Sequence, residues 1–139
     1  MSLSTSLKLA LPLVLLAVAL TTPPAQAAQP AHRVVIHVDE NDPARMNLAL
    51  NNASNVDAYY RERAEEVQIE IVAYGPGLHM LRADTSPVKK RVQSLSENFD
   101  NISFMACGNK HNKMSKKAKK EVPLMPQAKM VTAGVVHLM

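Results

Sequence analysis

Three apolar runs, separated by segments with helical spacing, constrain this chain more than any other feature. In residues 33–38, Val34, Val35, Ile36 and Val38 are apolar on both faces, as in a central parallel strand, and His37 is the one interruption. Residues 67–73 alternate at first and are then fully apolar, which fits a strand whose start is more exposed than its end. Residues 102–106 form a short apolar run that fits a buried strand, and Cys107 stands where it ends. Between the first two runs, Met46, Ala49, Leu50, Ala53, Val56 and Tyr60 recur at helical spacing. Asp42-Pro43 ahead of them reads as an N-cap followed by proline at the first helical position. Asn51, Asn52 and Asn55 are poor helix formers within this segment, which points to contact with another element or to a tolerated surface. Val88, Val92, Leu95 and Phe99 form a second helical stripe behind Ser86-Pro87, read in the same way as a cap.

The remaining segments continue the alternation. Tyr74-Gly-Pro-Gly77 is a sharp turn, whose glycines permit φ > 0 or close approach to a ligand. Residues 78–81 make a short helical turn. Gly108 and Asn109 read as a turn, and residues 110–121 as a helix ended by Pro123 and Pro126. A fourth strand is expected over 128–132, and the opening of a further helix over 134–139. Strands alternating with helices predict an α/β domain with a mostly parallel sheet of four to five strands over residues 33–139.

The first residues read as an export signal. Lys8 precedes an apolar run of about a dozen residues, too short to span a bilayer comfortably, and Ala25-Gln26-Ala27 fits a cleavage site. Cleavage after Ala27 leaves a flexible start over 28–32 and a periplasmic protein with no membrane span. The mature part, about 110 residues, buries somewhat over 60% of its unfolded surface, so oligomerisation would help it. With one cysteine in the chain, no intrachain disulfide can form, so Cys107 is buried, reactive or paired with another chain. Asn52-Ala-Ser54 and Asn101-Ile-Ser103 match glycosylation sequons, but both fall in expected structured elements and read as chance.

Charge is unevenly placed. The formal net charge is +4, and six lysines fall between Lys110 and Lys120 with no acid among them. This patch favours an anion or acidic partner over general nucleic-acid binding. No aromatic side chain interleaves with the lysines, so a stacking platform for bases is missing. The competing reading is a solvated helix face.

Cys107 carries the candidate chemistry. Ligands and chemistry collect at the C-terminal ends of strands in parallel sheets. A thiol there, ahead of a helix N-terminus and beside Lys110, is placed to favour its thiolate. The bland alternative is a small hydrophobe ending a core strand. His37 is a candidate base or orienting group, with a satisfied core histidine as its alternative. Gly75, Gly77, Gly108, Asn109 and Lys110 are the expected ligand or thiolate surroundings. His111 is nearer in sequence but a weaker candidate. His79, His111 and His137 with the methionines raise copper binding, yet their spacing matches no compact site, so no metal and no cofactor is expected. Gly75-Pro-Gly77 lacks the third glycine of a dinucleotide-binding loop.

An ordered set of motifs resembles the DsrE/DsrF-like family, in particular its exported single-domain members. The set comprises Leu48-Ala-Leu-Asn-Asn-Ala53 with Asn55, Val72-Ala-Tyr-Gly-Pro-Gly-Leu78, Ser86-Pro-Val88, Ala106-Cys-Gly-Asn109 and Thr132-Ala-Gly-Val-Val136. The resemblance implies a three-layer α/β/α domain that assembles into trimers or hexamers. It also implies, for sulfur-handling members, a cysteine that carries sulfur as a persulfide between donor and acceptor proteins; that role maps onto Cys107. Two departures stand out. Lys110 replaces the small hydroxyl residue usual after Cys-Gly-Asn, and the family domain continues past residue 139 with the rest of a helix and a last strand. The competing functional class is a non-catalytic binding or assembly module with a buried cysteine.

Overall fold

A computed structural model describes residues 32–139, so the expected signal peptide over 1–27, and the expected flexible start up to residue 31, lie outside the described residues. The chain runs β1 (His32–Val38), α1 (Pro43–Arg61), β2 (Val67–Ala73), a 3-10 segment (Gly75–Leu81), α2 (Lys89–Asn98), β3 (Ile102–Cys107), α3 (Gly108–Ala118), β4 (Ala128–Val131) and α4 (Gly134–His137). All strand pairs are parallel and the sheet order is β1-β2-β3-β4. The expected α/β fold is what forms. His32 belongs to β1, opposite Val67, rather than to a flexible start.

The sheet order explains how its two faces differ. When neighbours in sequence are neighbours in a parallel sheet, right-handed crossovers put every connecting helix on the same face. The core follows this rule. Met46, Leu50 and Ala53 of α1, Leu78 and Leu81 of the 3-10 segment, and Val92 and Leu95 of α2 pack against Ile69, Ile71, Ile102, Phe104 and Ala106. Met114 of α3 packs on the same cluster. The register places Arg33, Val35 and His37, then Gln68, Glu70 and Val72, then Ser103, Met105 and Cys107 on the other face. The four-residue α4 and the residues after it are what cover that face among the described residues.

Two expectations change here. β1 is an edge strand, not a central one: Val35 is 42% exposed and residues alternate in burial along the strand. Its two-sided apolar character reflects the thinly covered second face. The second change concerns Ser86-Pro87. Helix α2 begins two residues later, behind Val88. The Ser86 hydroxyl donates to the Met80 carbonyl and accepts from the Val88 amide at 3.3 Å, so it ties the 3-10 segment to the helix. By contrast, Asp42 caps α1 as expected, accepting from Ala44 N–H at 2.8 Å ahead of Pro43. Of the three mid-helix asparagines, Asn51 meets another element: its Oδ1 accepts from Arg91 of α2 at 2.7 Å.

Candidate functional site

Cys107 ends the central strand β3 and stands at the N-cap of α3. Gly108 and Asn109 are the first residues of that helix, with no separate turn before it. Strand passes straight into helix because Gly108 fits where little else would: a Cβ there would stand 3.0 Å from the Val131 carbonyl oxygen. The Asn109 backbone N–H donates to the Thr132 carbonyl at 3.1 Å, so the first turn of α3 is tied to the chain leading into α4.

The thiol side chain belongs to the second sheet face. Cys107 is 7% exposed, and the start of α4 packs beside it. A Cβ added to Gly134 would stand 2.6 Å from Tyr74 Cβ and 3.3 Å from Cys107 Cβ. Helix α4 therefore rests on Tyr74 and Cys107 together, and it approaches so closely because residue 134 has no side chain. At its other end, His137 Nε2 lies 2.7 Å from Glu70 Oε2 on β2.

His37 does not reach this thiol. It aligns with Val72, which aligns with Met105, two residues before Cys107. Two strand spacings and two residues of rise separate the Cα atoms by about 12 Å. Its ring stacks on Tyr74 at 5.8 Å between centroids, and Nδ1 lies 3.2 Å from the Tyr74 hydroxyl. His37 also lines an open depression of ≈ 180 Å³ with Asp39, Glu40, Arg45 and Asn52. Tyr74 is thus the residue that sequence reasoning missed. Its side chain meets both His37 and the start of α4, and its signals were its place directly after the second strand and in the Tyr74-Gly-Pro-Gly77 turn.

The glycines of the turn have structural roles. Gly75 takes φ +51°, and a Cβ at Gly77 would stand 2.2 Å from the Val38 carbonyl oxygen. Both glycines let the 3-10 segment dock on the end of β1, away from Cys107. The lysine run is likewise separate from the thiol surroundings. Helix α3 packs on the core face while the thiol lies under α4 on the other. Lys110 is partly buried at its start; Lys113, Lys116, Lys117, Lys119 and Lys120 are exposed, and among the described residues none of the six forms an ion pair. Lys119 closes the helix in the left-handed region at φ 53°, before either expected proline acts.

The other histidines disperse. His111 is buried and its Nε2–H donates to the Val122 carbonyl at 2.8 Å, so it serves the core rather than Cys107. His79 bonds the Thr85 carbonyl at 3.0 Å, and His137 bonds Glu70. Among the described residues no three His, Cys, Asp or Glu side chains converge as metal ligands would. No helix there is long and apolar enough to cross a membrane.

Neither a family profile nor a curated protein matches the chain. Among solved structures it is similar to the protein of unknown function MTH1491 from Methanobacterium thermoautotrophicum. The two share 33% sequence identity, the match covers 77% of this chain and 87% of that one, and the TM-score is 0.63. The chain belongs to the same family as that Methanobacterium thermoautotrophicum protein.

Proposed function

We propose that this protein is an exported, DsrE-like sulfur-relay carrier in which Cys107 holds sulfur as a persulfide. The observation that carries the reading is the place of the thiol: the end of the central strand, at the N-cap of an eleven-residue helix. In the forward step the Cys107 thiolate attacks the terminal sulfur of a donor persulfide. A new S–S bond forms at Cys107, the donor S–S bond breaks, and the donor leaves as its thiolate. In the return step an acceptor thiolate attacks the outer sulfur, and Cys107 leaves as the thiolate. One S–S bond is exchanged for another each time, so no outside oxidant or reductant enters. The working form is a homo-oligomer, a trimer or hexamer, acting in the periplasm with a sulfur donor and an acceptor protein.

One observation favours a second reading. Cys107 is almost fully shielded, and Val135 and Val136 beside it are 59% and 63% exposed. A non-catalytic oligomeric assembly module would bury its cysteine and present such an apolar face to a partner. Accessibility of the thiol separates the two. Alkylation of the native protein by iodoacetamide, read by mass spectrometry, should label Cys107 well below the denaturant concentration that unfolds the chain. Labelling that appears only with global unfolding makes Cys107 a core residue and leaves the assembly module.

A further inference from the structure

We propose that α4 is a gate over Cys107, latched to the sheet by the His137–Glu70 pair. The inference rests on the reading of Cys107 as a functional thiol and adds how access to it is controlled.

Three observations converge on α4. First, its first residue packs beside Cys107: Gly134 is buried, and a Cβ there would stand 3.3 Å from Cys107 Cβ and 2.6 Å from Tyr74 Cβ. Second, among the described residues the helix itself buries little apolar surface. Gly134 is its one buried residue, and Val135 and Val136 point largely into solvent. Elements with few buried apolar contacts open at low free-energy cost, well short of global unfolding. Third, the side-chain tie at the far end of α4 is the 2.7 Å contact between His137 Nε2 and Glu70 Oε2. Glu70 is set firmly for this task, in a strand hydrogen-bonded on both sides and flanked in register by Val35 and Ser103.

The pivot is visible as well. Thr132 is fixed by the bond from Asn109 N–H to its carbonyl, so β4 and the first turn of α3 stay in place when α4 lifts. Ala133, the N-cap, is extended at φ −144° and makes no side-chain capping bond. Rotation there swings Gly134 off Cys107 and Tyr74 without disturbing the sheet. A closed gate keeps solvent from the thiol, and an open one admits a donor or acceptor sulfur. His137 and Glu70 are positioning residues in this scheme, since neither touches the thiol.

The test compares native-state iodoacetamide labelling of Cys107 in the full chain and three variants. Losing a hydrogen bond to a carboxylate should raise the open population by about tenfold or more. His137→Ala and Glu70→Ala should therefore label about tenfold faster than the parent. His137→Gln, which can donate to Glu70 again, should label near the parental rate. Hydrogen exchange of the 134–138 amides should rise in the two alanine variants while that of β3 stays unchanged. Equal labelling rates in His137→Ala and the parent overturn the gate. So does faster labelling accompanied by faster exchange throughout β3, which signals general destabilisation. Persulfide loading is a separate readout: a parent chain that takes up no sulfur, with labelling still accelerated in His137→Ala, removes the carrier function and leaves the gate standing.

Discussion

Gly134 stands so close to Cys107 that a Cβ at position 134 would lie 3.3 Å from the cysteine's own Cβ. That contact joins the last helix to the end of the central strand. The same residue meets Tyr74, which in turn stacks on His37. A line of contacts thus runs along the C-terminal ends of β1, β2 and β3, and its outer members lie too far from the thiol to exchange a proton with it directly.

His37→Ala should therefore leave Cys107 chemistry intact. Native-state alkylation and sulfur uptake should stay within about twofold of the parent, because the Cα atoms of the two residues stand about 12 Å apart across two strand spacings. A loss of tenfold or more in sulfur uptake would restore His37 as a base.

Gly77→Ala tests the docking of the 3-10 segment on β1. The added carbon would stand 2.2 Å from the Val38 carbonyl oxygen and 2.8 Å from the Asp39 nitrogen, both backbone atoms that cannot swing aside. Overpacking of this kind should cost about 3 kcal/mol, read as a fall in the urea midpoint with the slope unchanged.

Asp57 anchors the opposite end of the strands. It is 7% exposed, pairs with Arg61 one helical turn on, and accepts from the Asn101 side-chain amide at 2.9 Å. Asn101 also donates to the Val67 carbonyl at 3.0 Å, so the pair fixes α1 to the starts of β2 and β3. Asp57→Ala removes the acceptor and leaves a part-buried donor unmatched, for about 1–3 kcal/mol of lost stability.

The Arg82 guanidinium, with two bonds to Asp84 at 2.7 and 2.9 Å, holds the Asp84 carboxyl well below the usual carboxylate range. A carboxyl depressed in the folded state stabilises above its unfolded pKa of about 3.9 and loses that contribution as pH falls through the folded value. The parent should lose slightly more stability than Asp84→Asn on acidification below about pH 4. The difference should be small, because the pair is solvent-exposed and screened. Parallel acid limbs for the two proteins would contradict it.

Much of the architecture was legible in local pattern. The stripe Met46, Leu50, Ala53 and the cap at Asp42 follow from helical spacing and one proline, and the apolar run of β3 identified a buried central strand. What local pattern missed were matters of neighbourhood. Hydropathy alone could not distinguish Val34–Val38 at a thinly covered edge from a strand buried on both sides, because strand order is set by contacts distant in sequence. Ser86 looked like a cap because its hydroxyl does accept a backbone amide, but one belonging to the linker rather than to the helix. At the candidate site, Cys107 was found and its surroundings were not. Lysines adjacent in sequence follow α3 to the core face, while Gly134 and Tyr74, 27 and 33 residues away, arrive on the thiol's face. Side-chain period in a strand decides this: Ala106 faces the core and Cys107 faces α4.

The most direct test of a carrier thiol is sulfur uptake. Native protein incubated with inorganic polysulfide, freed of donor and weighed intact, should gain one sulfur atom. The gain should be absent in Cys107→Ser, and a small thiol such as dithiothreitol should remove it. A native chain that gains no sulfur, while the same chain unfolded in urea does, would contradict the account and leave Cys107 as part of the core.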